Sequence, residues 1–224
     1  MENQISRIIK KLNSLKKKDT QFTAFGSETH QYKLNKAKSE NELLEFEETY
    51  GIKLPDGYRA FLKRIGNGGA GPYYGLEPLE NSTSDDLDRP SVKDWIDPSK
   101  PFKLIEAWNE NGEEETAFDE EEYFSKELLN GVLKISNFGC GISLILIVNG
   151  AEYGNIWVDD RGNDQGIYPD PYFKNNGRIN FLDWYEYWLN ISLKEINIER
   201  VVNFSMEETI KSKFLKLIKR IRSR

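Results

Sequence analysis

Residues 143–159, SLILIVNGAEYGNIWVD, change character midway in a manner that a β-hairpin accounts for. Ser143–Val148 is almost wholly apolar and rich in β-branched side chains, the pattern of a central strand buried on both faces. Asn149-Gly150 turns the chain, and residues 154–159 return as Gly-Asn-Ile-Trp-Val-Asp, with a turn longer than the two-residue minimum. Just upstream, Val132–Ser136 reads as another strand, entered through Asn130-Gly131.

Helical patterns flank this meander. Ile5, Ile8, Ile9, Leu12 and Leu15 recur at helical spacing over residues 3–17, with lysines on the other face. A polar stretch follows to about residue 38. Ser39-Glu-Asn-Glu42 then forms a capping box, in which serine and glutamate satisfy each other's orphan backbone amides. Its helix carries Leu43, Leu44, Phe46 and Tyr50 and leaves through Gly51. After Leu54-Pro55, Asp56 is expected to cap a short helix with Tyr58, Phe61, Leu62 and Ile65, ended by Gly66-Asn-Gly-Gly69. Gly71–Leu76 reads as extended, residues 80–101 as loop, 119–130 as a helix, and Asp160–Asn176 as loop again. Phe181, Leu182, Trp184, Tyr185, Trp188 and Leu189 make an aromatic helix face. Ser205-Met-Glu-Glu208 is a second capping box, opening a helix with Ile210, Phe214, Leu217, Ile218 and Ile221. Helices first, strands in the middle and helices last predict an α+β fold with a largely antiparallel sheet. The organisation expected is a basic helix and connector over 1–38, a domain over 39–195, and a basic C-terminal helix over 196–224 packed on the core.

Composition excludes several function classes. The 224 residues include one histidine and one cysteine, so a His/Cys zinc site within the chain is ruled out. A serine or cysteine triad would need His30, which stands in the polar run Ser27–Gln31 and reads as a solvated loop histidine. Neither a Gly-Lys-Ser/Thr phosphate loop nor a Gly-x-Gly-x-x-Gly helix opening occurs. No catalytic residue, metal or cofactor is expected. Asp159-Asp-Arg-Gly-Asn-Asp164 does not have the calcium-loop spacing and reads as a polar turn. Absence of an apolar run of about 18 residues argues against a membrane span. An opening Met-Glu-Asn-Gln-Ile-Ser unlike a signal peptide, with the lone Cys140, leads to an expected cytoplasmic location.

The charge is segregated. Residues 1–18 carry six Lys/Arg and one acid, and residues 211–224 carry seven Lys/Arg and no acid. Of the 31 basic and 37 acidic residues in the chain, residues 19–210 therefore keep 18 and 36, a net of -18. Glu106–Glu122 alone holds nine acids and no Lys or Arg. Such a field repels phosphate backbones and steers basic partners, which excludes nucleic-acid binding by the core and favours a basic protein.

A resemblance emerges from the motifs taken in order. Glu42–Leu62 reads ELLEFEETYGIKLPDGYRAFL, with Asn67-Gly-Gly69 following. Then come Ile135-Ser-Asn-Phe-Gly-Cys-Gly141, the apolar strand, Gly154-Asn-Ile-Trp157, Asp159-Asp-Arg161 and Phe181-Leu-Asp-Trp-Tyr185. Over about residues 39–195 this resembles the SUKH superfamily of bacterial immunity proteins and fungal cell-wall-assembly regulators. The resemblance implies an α+β fold and a non-enzymatic role, most often an immunity protein that neutralises a toxin such as a nuclease. As an alternative it allows a regulatory interaction scaffold in cell-wall or stress signalling. It transfers no catalytic residues, and its motif positions read as fold-forming: Pro55 sets a turn, Gly68 and Gly69 permit positive φ, and Phe46, Phe61 and Trp157 fill the core.

Together these readings give an expected binding surface. Glu113, Glu114, Glu115, Glu120, Glu121 and Glu122 are expected to shield a basic toxin cleft, with Trp108 or Tyr123 as exposed anchors, because interface energy concentrates in aromatics. The terminal helices are expected to pack by their apolar stripes, with a homodimer as the alternative use of the last one.

Overall fold

The computed structural model describes residues 1–87, 95–109, 120–171 and 177–198. The apolar run forms strand β2 (Ile142–Ile147), between β1 (Val132–Gly139) and β3 (Ile156–Asp159). A fourth strand, β4 (Ile167–Pro169), completes an antiparallel meander in the order β1-β2-β3-β4. β4 lies in the stretch read as loop. Three residues ending in proline are too short to display a period of two, and proline suits an edge.

The alternation of side chains divides the core. Leu133, Ile135, Leu144, Leu146, Ile156 and Val158 join the helices in one cluster. Val132, Ile145, Ile147, Trp157 and Ile167 join a second, with Ile96, Phe102 and Leu129 from the connecting chain. β2 contributes to both clusters, which is why its middle carries no polar residue.

Six α-helical segments are described: α1 (Glu2–Lys18), α2 (Ser27–His30), α3 (Glu40–Tyr50), α4 (Asp56–Arg64), α5 (Glu120–Tyr123) and α6 (residues 181–198). α1 buries Ile5, Ile8, Leu12 and Leu15 and shows Lys16 and Lys17 to solvent. Its Arg7 and Lys11 both reach Glu186 on α6, at 2.9 and 2.7 Å. In α3 the capping box is complete: Ser39 Oγ accepts from the Glu42 amide and the Glu42 carboxylate accepts from the Ser39 amide. Gly51 gives the helix its left-handed exit. Tyr58, Phe61, Phe181 and Tyr185 from α4 and α6 pack with ring centroids 4.7–6.1 Å apart, and the Tyr185 hydroxyl donates to the Ala70 carbonyl. Gly69, at φ +94, faces the Lys33 carbonyl so closely that a Cβ would lie 2.4 Å from it. The Gly-Gly motif is therefore a place where two backbones meet.

Several sequence expectations change. Pro55, not Asp56, is the N-cap of α4, and Asp56 begins the helix without a side-chain cap bond. Gly71–Leu76 is a turn, not an extended segment, because Tyr73 takes a left-handed φ of 58° and only Leu76 bridges to neighbouring chain. The expected helix over 119–130 is one α turn, α5, and a 3₁₀ turn at Lys126–Leu129, separated at Ser125, whose hydroxyl caps the second. His30 is buried, not solvated: it lies edge-on to Tyr32 and Trp188, and its Nδ1 accepts from the Tyr32 amide. Phe61 and Trp157 are core residues as expected, whereas Phe46 is half-buried against Tyr50. The expected C-terminal helix with its Ser205 capping box lies outside the described residues.

Candidate protein-binding surface

The acidic lobe is built on the sheet's second face. Phe102 packs edge-on against Trp157, at 5.1 Å between ring centroids, and its backbone bridges Gly150. From there the chain runs across the sheet end to Trp108, which exchanges two 2.8 Å backbone hydrogen bonds with Ile167 of β4. Gly166 makes this approach possible, since a Cβ there would lie 2.0 Å from the Trp108 carbonyl oxygen. Arg178 holds the intervening segment, donating to the Ile105 carbonyl and resting over the Trp157 ring.

α5 is fastened to this frame from beneath. The Tyr123 ring is buried and stacks on Trp108 at 5.3 Å, and its hydroxyl donates to Asn109 Oδ1. The carbonyls of Tyr123 and Ser125 accept from Arg161 Nη1 at 3.1 and 3.0 Å. Arg161 in turn grips the Asp159 carboxylate with two bonds, 2.7 and 3.0 Å. Lys134 lies 3.6 Å from the same carboxylate and donates to Asp85. Burial opposes ionisation of Asp159, but the Arg161 hydrogen bonds and the Lys134 and Arg161 charges outweigh it and hold its pKa below the ordinary aspartate value. The Asp159–Asp164 turn is thus polar and partly buried, with Asp159 and Arg161 paired inside it. Among the described residues no group of three or more His, Cys, Asp or Glu is arranged to hold a metal ion.

With its underside fixed, α5 presents Glu120, Glu121 and Glu122 to solvent. Glu121 and Glu122 line a cavity of about 450 Å³ together with Lys103, Leu104, Ser125, Glu127 and Leu128. Beside it stand two exposed apolar side chains, Ile105 and Phe124. Of the expected anchors, Trp108 is half-buried and Tyr123 is fully buried. Tyr123 is therefore a support and not an exposed anchor, because its ring fills the space between Trp108 and the sheet edge. Ile105 and Phe124 were missed: each directly follows a more buried apolar residue, Leu104 or Tyr123, and sequence cannot tell which of the two faces solvent. Glu113, Glu114 and Glu115 lie outside the described residues.

A family model for the SMI1 / KNR4 family (SUKH-1) matches residues 38–175, more than half of the chain. The chain belongs to the SUKH-1 family. Within that span fall the capping box of α3, the Gly68-Gly69 backbone contact and all four strands. The SUKH-1 match also takes in the acidic lobe and Arg161, while α1 and α6 lie beyond it. No curated protein and no solved structure matches the chain. Among the described residues no helix is long and apolar enough to cross a membrane.

Proposed function

We propose that this SUKH-1 protein is a non-enzymatic protein-binding module, an immunity protein that captures a basic toxin, a nuclease above all, on its acidic lobe. The observation that carries this reading is the rigid display of Glu120–Glu122 above a buried support of Arg161, Asp159 and Tyr123. Fixed acids beside exposed Ile105 and Phe124 combine steering charge with apolar contact area, the two ingredients of a fast and durable complex. Family membership supports a protein partner, and the net charge of -18 over residues 19–210 supports a basic one. Glu113–Glu115 extend the acidic sequence and belong to the same proposed surface.

The test begins with the purified full chain as bait in native lysate at low salt, before and after challenge with competing cells. One dominant basic toxin-like protein, released by salt, is expected. A range of unrelated wall or signalling proteins would replace this reading with that of a regulatory scaffold. With the partner in hand, replacing Glu113, Glu114 and Glu115 by Lys should slow association at low salt and flatten its salt dependence. An unchanged on-rate would remove these three residues from the surface.

A further inference from the structure

A second surface lies away from the acids. Phe25, Pro72 and Tyr73 form one wall of a groove, and Trp188, Ile191 and Glu195 of α6 form the other, around a cavity of about 280 Å³. The apolar wall continues through Phe138 and Tyr74: Phe25 packs on Phe138 at 5.8 Å and on Tyr74 at 5.6 Å, and Tyr73 packs on Phe138 at 4.5 Å. Phe25 remains 57% exposed and Tyr74 43%, an aromatic patch that a soluble protein ordinarily covers.

We infer that the groove is occupied in cis by the chain's own C-terminal segment, residues 205–221. Three observations converge on that occupant. First, α6 supplies the groove wall at positions 188, 191 and 195, one helical face, and its described part ends at residue 198, one turn beyond Glu195. The 26 residues that follow therefore set out from the end of the groove itself. Second, Ile210, Phe214, Leu217, Ile218 and Ile221 repeat as a single helical stripe, matching an aromatic groove in chemistry. As a helix, residues 210–221 measure about 18 Å, and the residues before them exceed the 2–8 that commonly join antiparallel helices. Third, the segment 211–224 carries seven Lys/Arg and no acid, against a net of -18 over residues 19–210 and a glutamate, Glu195, on the groove wall. A flexible connector of this length holds such a segment at an effective concentration on the order of millimolar, which favours its own groove over that of a second copy. The inference is independent of the proposed toxin-binding role, since it concerns a different surface.

The chain carries a probe site for the test. Cys140 is its only cysteine, exposed in the β1–β2 turn two residues from Phe138. A nitroxide on Cys140 of the full-length, ¹⁵N-labelled chain should broaden the amide signals of residues 210–221 in dilute solution. Mixing nitroxide-bearing unlabelled chains with nitroxide-free ¹⁵N chains should leave those signals intact. The double change Phe214→Glu and Ile218→Glu should abolish the broadening while the amide signals of the four strands keep their positions. Signals of residues 210–221 untouched by the nitroxide would overturn the inference. So would broadening that also appears in the mixed sample, which would assign the groove to a second copy, or broadening that survives the double change.

Discussion

The two faces of the sheet are held by different chemistry. On the helical face, aromatic rings from α4 and α6 interlock with the strands, and Phe181 alone meets Tyr58, Phe61, Trp184 and Tyr185. On the other face, a smaller apolar cluster around Trp157 is roofed by chain with little regular structure, and its outer part is tied down by buried ions. The first face has many redundant contacts. The second depends on a few groups, above all Arg161, which joins β3's end to α5 through Asp159 and two carbonyls. Packing thus makes the fold, while a handful of directional bonds set the shape of the proposed binding surface.

Truncations on the two faces sharpen this difference. Phe181→Ala should cost the upper end of the range of about 3–5 kcal/mol typical of buried phenylalanine, and Phe102→Ala the lower end. Urea unfolding followed by tryptophan fluorescence checks the order, and a costlier Phe102 change would break the comparison.

Arg161→Ala should cost about 3 kcal/mol, because it leaves Asp159 buried with less compensation. The double change Asp159→Leu and Arg161→Met should recover much of that stability, since an apolar pair can replace a buried ion pair. Neither variant can hold the Tyr123 and Ser125 carbonyls, so amide exchange across residues 120–129 should accelerate in both. Unchanged exchange would show that α5 is held by the Trp108–Tyr123 stack instead.

A smaller effect, confined to the helical face, is read by pH. Burial lowers the pKa of His30 from 6.5 to about 4, against the opposing influence of Gly71 and Asp19. The unfolded chain therefore takes up this proton first, and the contribution of neutral His30 is complete above pH 6.5 and lost as pH falls towards 4. The loss should be at most about 3 kcal/mol. Glu186, Glu40 and Glu42, held at about 2 by their hydrogen bonds and ion pairs, act in a lower window, between pH 4.5 and 2. As His30 is the only histidine, His30→Gln should flatten the upper window and leave the lower one. Persistence of the upper slope would place its origin elsewhere.

The helical face was the more legible in sequence. The stripe of α1, the capping box of Ser39 and Glu42 and the aromatic run at Phe181–Leu189 are local patterns, and local hydrogen bonding and periodicity determine what they become. β2 was equally clear, since a run without polar residues leaves few alternatives. The misreadings depend on distant partners. His30 is polar by neighbourhood yet buried by Tyr32 and Trp188. Arg161 sits in a hydrophilic run and is buried only because Asp159 and two carbonyls receive it. The acidic character of the lobe was readable from composition, but which aromatic is support and which apolar groups are exposed was not.

The proposed function rests on fixed acids on α5 that steer a basic partner. Its most direct test is the association rate of the full chain with the isolated partner, measured across ionic strength for wild type and for Glu120, Glu121 and Glu122 all replaced by Lys. The replacements should leave stability within about 0.5 kcal/mol, as expected for exposed positions. They should also lower the low-salt on-rate by at least about tenfold and remove most of its salt dependence. An on-rate and salt slope equal to those of wild type would contradict the account.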